Sequence, residues 1–231
     1  MTHGTALIVG AGKGLSASLA RRLAAEGFHV ALMARNVDKL TALVRETSAR
    51  TYPGDARDPA AIETIFERVE RELGPLELVV FNAGERYRGP IEELAPEKVL
   101  DAYRTTAFAG FLAAQAAAKR MLKQGRGSIF FTGATASVKA LPQSVPFSMA
   151  KFALRALAQS LARELAPKNI HVVHFVLDGG LASSWAKPTE TGPADRWLDP
   201  DAVAQAYLDA HRQHRSAWSW EIELRPWVET F

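Results

Sequence analysis

Thr5-Ala-Leu-Ile-Val9-Gly10-Ala-Gly12-Lys13-Gly14-Leu15-Ser16 decides the reading of this chain. A short apolar run ends in three alternating glycines, and a helical pattern follows to Glu26 and closes on Gly27. That is a strand, a tight turn and a helix. Glycines in such a turn let the backbone come close to a pyrophosphate, whose charge is favoured at a helix N-terminus where N–H groups point outward. Most glycine clusters are ordinary turns, and it is the place between strand and helix that points to a nucleotide.

Working outward, Phe28 to Ala34 reads as a second buried strand ending in Arg35-Asn36, about 20 residues beyond the glycine turn, where a dinucleotide fold reads the adenosine ribose. An acidic residue there accepts from both ribose hydroxyls. Arg35, with Lys13 from the glycine turn, suits a 2′-phosphate instead, so the expected cofactor is NADP(H). The alternative is that both are solvated surface cations. Val37 to Arg50 reads as a helix and Thr51 to Gly54 as a short strand into a turn. Asp55, next to Ala56, is either an acceptor for the adenine amino group or a turn aspartate ahead of Asp58-Pro59. Ile62 to Leu73 is amphipathic, Gly74-Pro75 breaks it, and Leu76 to Phe81 is a strand ending in Asn82-Ala83-Gly84. The alternation predicts a doubly wound, Rossmann-type parallel sheet in a three-layer αβα arrangement, with residues 1–231 as one domain.

Composition narrows the function classes. The 231 residues are 48% hydrophobic, enough for a sizeable core, and 28 Lys and Arg are interspersed with 25 Asp and Glu. Without a basic block, nucleic acid is not an expected partner. Cysteine is absent and the six histidines are scattered without ligand spacing, so neither a disulfide frame nor a metal site is expected. No apolar run is long enough to span a bilayer, and Met1 to Ala6 lacks a leader-like pattern. The expectation is a soluble cytoplasmic protein with no membrane partner.

The glycine turn, Asp55-Ala56, Asn82-Ala83-Gly84, the spacing from Phe147 to Lys151 and the strand-end Asp178-Gly179 resemble, in order and separation, the short-chain dehydrogenase/reductase family. The resemblance runs over essentially the whole chain. It implies a seven-stranded parallel sheet with the cofactor across the carboxyl ends of the strands. It also implies that Gly10, Gly12, Lys13, Gly14 and Leu15 hold the pyrophosphate turn, Arg35 and Asn36 the ribose, Asp55 and Ala56 the adenine, and Asn82, Ala83 and Gly84 the cofactor ribose. Gly179 and Leu181 fall beside the nicotinamide. Ser16 stands where the family has its last glycine, a small-for-small change expected to crowd the packing only slightly.

The chemistry is where the chain departs from the family. In the family pattern a tyrosine precedes the lysine by four residues, and the lysine ammonium lowers the phenol's pKa so that it passes a proton as hydride moves. Here that position is Phe147. Counting back thirteen residues, the serine position is Ala134, and the asparagine position on the long helix is Thr106. Only Lys151 remains, expected to bond the nicotinamide ribose. Substitutes are Thr135 or Ser137, which could offer a hydroxyl to a carbonyl, Asp178, either a buried acid or a turn aspartate before glycine, and Tyr87, a phenol in the loop after Gly84.

Two alanine-rich helices, Glu97 to Gln124 and Phe147 to Leu165, match the pair that forms the family's subunit interface, so a homodimer or homotetramer is expected. Leu181 to Trp197, with Pro188, Thr189 and Thr191, falls where family members carry a substrate lid. The aromatic tail, Trp218, Trp220, Trp227 and Phe231, is expected to pack either on its own core or, by slight preference, on a neighbouring subunit. The functional expectation is an NADP(H)-dependent oxidoreductase with a degenerate active site, acting on a small apolar carbonyl or enone. The alternative is a non-catalytic NADP(H)-binding protein, a redox sensor or partner subunit.

Overall fold

The computed structural model describes residues 4–182, 192–193 and 195–230. Seven strands, β1 (Thr5–Val9), β2 (His29–Ala34), β3 (Arg50–Pro53), β4 (Leu76–Phe81), β5 (Gly127–Thr132), β6 (Ile170–Leu177) and β7 (Glu221–Leu224), form one sheet in the order β3-β2-β1-β4-β5-β6-β7. Every neighbouring pair is parallel. Helices cover both faces, which is why the central strands read as unbroken apolar runs: β1 and β6 are buried at every residue. Alternate side chains still choose different faces. Leu7 and Val9 join α3 (Pro59–Leu73), α5 (Ala109–Gln124) and α6 (Val145–Leu165), whereas Ala6 and Ile8 join α1 (Leu15–Ala25), α2 (Thr41–Thr47) and α7 (Pro200–His211). This is the expected doubly wound sheet.

Three departures from the sequence reading have local causes. The helix expected over Glu97 to Gln124 is α4 (Pro96–Tyr103), a π-helical segment (Arg104–Phe108) and α5, a widening of the kind often found at functional sites. Within it the fully buried Thr106 turns its hydroxyl to the Glu85 N–H at 3.2 Å, tying the helix to the loop after β4. The helix expected from Val37 shrinks to a turn of 3₁₀ helix (Asp38–Leu40) and α2, which ends at left-handed Ser48 so that Arg50 can open β3. The last strand, which the sequence places over Trp218 to Leu224, starts only at Glu221, because Trp218 Nε1 donates to the Gln213 carbonyl and the Ser219 N–H to Gln213 Oε1, forming a turn there.

Part of the tail packs on its own chain. Trp218 stacks on His171 with ring centroids 4.6 Å apart, and Trp220 lies under the Arg155 guanidinium, so both cover this chain's own sheet. Trp227 is exposed, and Phe231 lies outside the described residues. Of the expected lid, Pro188, Thr189 and Thr191 lie outside the described residues; its base is closed by a parallel bridge between Leu181 and Leu198. Among the described residues, no helix is long and apolar enough to cross a membrane, and no three His, Cys, Asp or Glu side chains are grouped to hold a metal ion.

Candidate active site

The strand order reverses between β1 and β4, and parallel sheets open a crevice at such a switch point beyond the carboxyl ends of the strands. Two adjoining cavities occupy this edge, of about 230 Å³ and 620 Å³, sharing Asn82 and Gly84. The smaller lies over β1, β2 and β4 and the larger over β5 and β6.

Gly10 enters the turn at φ +86°, and a Cβ on it would stand 2.5 Å from the Ala83 backbone nitrogen, so only glycine brings this turn against β4. A Cβ on Gly12 would meet nothing within 4 Å. Ser16 does more than fill a glycine's place. Its hydroxyl donates to the Gly10 carbonyl at 3.2 Å and accepts from Asn82 Nδ2 at 2.7 Å, fastening the glycine turn to the end of β4.

The smaller cavity is bordered by Gly10, Arg35, Asp55, Ala56 and Ala83, as well as by Arg57, which the sequence reading missed. Arg57 clasps the Asp55 carboxylate, with Nη2 2.7 Å from Oδ2 and Nε within 3.1 Å of both oxygens. The hydrogen bonds from Arg57 hold the Asp55 carboxyl below its ordinary range. Asp55 is thus already engaged, and two guanidinium groups flank the cavity. Gly12, Lys13, Gly14, Leu15 and Asn36 do not border it: Lys13 is exposed, Leu15 is buried between α1 and the sheet, and the Asn36 side-chain Oδ1 accepts from the Asp38 N–H.

Lys151, Ala134, Thr135, Phe147, Thr132, Gly179 and Leu181 all border the larger cavity. Lys151 is buried, donates to the Thr132 carbonyl at 2.7 Å and lies 5.9 Å from the Phe147 ring centroid. Burial pushes its ammonium down to about 8. Ser137 is buried away from the cavity and accepts from the Ala134 N–H, and Thr106 already serves the loop after β4.

Two candidate proton donors are engaged elsewhere. Asp178 does not border the cavity; its carboxylate is ion-paired with Arg225 at 3.0 Å, without hydrogen-bond alignment, and has Lys139 at 3.7 Å. Tyr87 accepts from the Ala95 N–H at 3.0 Å and has Lys98 over its ring, so it anchors its loop to the start of α4. The Asp178 contacts are not signalled in sequence, since Lys139 and Arg225 lie far from it along the chain.

Beneath Lys151 runs a buried network. Arg155, one turn along α6, makes a bidentate pair with Glu221 at 2.6 and 2.7 Å, and Glu221 meets His174 Nδ1 at 3.1 Å. His174 Nε2 has no hydrogen-bond partner and packs so close to Gly133 that a Cβ there would come within 2.3 Å. Burial pushes the imidazole down to about 4. The folded state therefore keeps His174 neutral, while the unfolded chain takes up its proton below about 6.5, so stability falls as pH drops from that value towards 4. The expected loss is about 2 kcal/mol between pH 7 and pH 5. Denaturant melts of wild type and His174→Phe check it: the substitution should flatten this stretch of the pH curve.

The short chain dehydrogenase family model matches residues 4–191. A 2,3-dihydro-2,3-dihydroxybenzoate dehydrogenase of Bacillus subtilis is 32% identical over 170 residues, a stretch covering 71% of this chain and 65% of that enzyme, slightly under two thirds. Among solved structures, a short-chain dehydrogenase from Rhodopseudomonas palustris is 37% identical and superposes with a TM-score of 0.84, covering 97% of this chain and 99% of the other. A metagenomic short-chain oxidoreductase in complex with NADP, 25% identical, reaches 0.86 over 98% of this chain and 99% of its own. With a glycine turn locked under β4, a cleft at the switch point and these likenesses along most of its length, the chain belongs to the short-chain dehydrogenase/reductase family of oxidoreductases.

Proposed function

We propose that this protein is a cytoplasmic NADP(H)-dependent oxidoreductase with an altered active site, reducing or oxidising a small carbonyl or enone compound. The observation that carries the reading is the pair of adjoining cavities, with Arg35 and Arg57 bordering one and the buried Lys151 the other. Two guanidinium groups suit a ribose 2′-phosphate, which NAD(H) lacks. The turn that only Gly10 can make, and the open space over Gly12, fit a pyrophosphate passing close to the backbone. Bound there, the dinucleotide supplies or accepts hydride. Lys151 has two N–H groups beyond the one given to Thr132, enough to hold ribose hydroxyls. Its ammonium is also the group in the larger cavity able to hand a proton from Nζ to a developing alkoxide near neutral pH and regain it from solvent.

Ala134 and Phe147, both bordering the cavity, favour the second reading, a binding protein without turnover. NADPH consumption over aldehydes, ketones, quinones and enones decides between them. Turnover by wild type supports the oxidoreductase. Silent wild type that still binds NADPH, more tightly than NADP⁺ or less, gives the lead to a sensor.

We place the subunit contact on α4, the π-helical segment, α5 and α6, where Tyr103, Phe108, Phe111, Met149 and Phe152 expose apolar side chains and Phe108 stacks on Phe111. The occupant is a second copy of the chain. Light scattering should give a multiple of 25.2 kDa for wild type and 25.2 kDa for Phe108→Glu/Phe111→Glu; a wild-type monomer overturns the placement.

A further inference from the structure

We propose that the larger cavity takes a substrate with an apolar body and one carboxylate, the carboxylate being held by Arg86 and Arg88. The inference rests on this cavity being the substrate side of the cleft. Residues 82–90 run without helix or strand. Tyr87 is turned to the protein, fixed by the Ala95 N–H, while Arg86 and Arg88 both border the cavity.

The loop is tied down on its other side as well. The Gly89 N–H donates to the Gln143 carbonyl at 2.9 Å, and Arg88 Nη2 reaches the Pro142 carbonyl at 3.4 Å. The two guanidinium groups are therefore presented by a braced loop, which spares a ligand much of the cost of ordering them. Partial burial, then the charge of Arg88, works against the charged form of Arg86. A carboxylate set beside it favours that form.

The charge count around the cavity points the same way. Arg86, Arg88 and Lys151 border it against a single carboxylate, Glu229, among the described residues. The rest of the wall is largely apolar, including Leu141, Phe147 and Trp197. A guanidinium matches a planar carboxylate with two parallel N–H bonds, and hydrocarbon walls suit an aromatic or aliphatic body. With Lys151 at the inner end and the arginines on the loop, the reacting carbonyl and the acid group belong at different places along the ligand.

The test is binding, which does not depend on turnover. Calorimetry with saturating NADP⁺, so that the smaller cavity is filled, compares benzoylpropionate with benzoylpropionamide, alike in shape and differing in charge. The acid should bind at least about tenfold more tightly, as expected for charge-assisted bonds. Arg86→Gln and Arg88→Gln should each remove most of that preference, and added salt should weaken the acid and not the amide. Equal affinities, binding of neither compound, or an acid preference that survives Arg86→Gln/Arg88→Gln would overturn the proposal. NADPH titration of the same variants reports separately on the cofactor half. Acid binding without any turnover would instead sink the oxidoreductase reading and leave this one standing.

Discussion

Ala134→Ser/Phe147→Tyr raises the rate of NADPH-dependent carbonyl reduction over wild type by about 10² to 10⁴, the usual worth of a positioned general acid. The expectation follows from the geometry. Both positions border the larger cavity, and the Phe147 ring lies one helical turn from Lys151 with its centroid 5.9 Å from Nζ. A hydroxyl on that ring joins a pocket where a buried ammonium favours the phenolate and so lowers the phenol's pKa. The serine hydroxyl then stands at the end of β5, within the same cavity, to hold the substrate oxygen. The pH profile separates the two enzymes further. With Lys151 as the proposed proton donor, the wild-type reduction rate is expected to fall as pH rises through about 8. NADPH absorbance over a carbonyl panel measures both effects. A double variant that binds NADPH yet gains nothing would show that the pocket does not admit a carbonyl at this place.

Arg35→Ser/Arg57→Ser weakens NADPH binding by about 10² to 10⁴ while leaving NADH binding much less changed, since each guanidinium-to-phosphate bond contributes about 1.5–3 kcal/mol. The two arginines border one cavity from different elements, Arg35 after β2 and Arg57 after β3. Arg57 also clasps Asp55, so its loss alone frees a carboxylate beside the phosphate and adds repulsion. Arg57→Lys keeps the charge without the two-pronged grip and should fall between wild type and the serine variant. Fluorescence titration with NADPH and NADH measures the selectivity. Equal affinity of wild type for the two would refute the assignment of the phosphate to these residues.

How far the site could be read in advance depended on how local its causes were. Strand β4 and the Asn82-Ala83-Gly84 that ends it, strand β6 and the Gly10 turn follow from periodicity and from conformations that few residues adopt, so they were legible. Lys151 was placed in the cleft by its spacing from Phe147. Arg57 was not, because two residues after Asp55 it looked like any surface arginine until the turn folded it back on the carboxylate. Ser16 looked like a glycine substitute because its partners, Asn82 and Gly10, come together only when β4 pairs with β1. Asp178 could be read as a buried acid or a turn aspartate, and its ion pair was hidden because Arg225 lies far along the chain. The π-helical segment had no signature at all, since its widened turn uses residues that suit an α-helix equally well.

The pairings across the last strand set an order of assembly. Glu221 pairs with Arg155 and His174, and Arg225 with Asp178, so α6 and the end of β6 share counter-charges with residues near 225. The expectation is that, during synthesis, the chain through β5 pairs its strands and forms the cavity around Arg35 and Arg57. The cavity around Lys151 is expected to settle later, once β7 and Glu229, which borders it, have emerged. Nascent chains stalled before that point should therefore fold their dinucleotide half first, and acquire the reactive half as the final step.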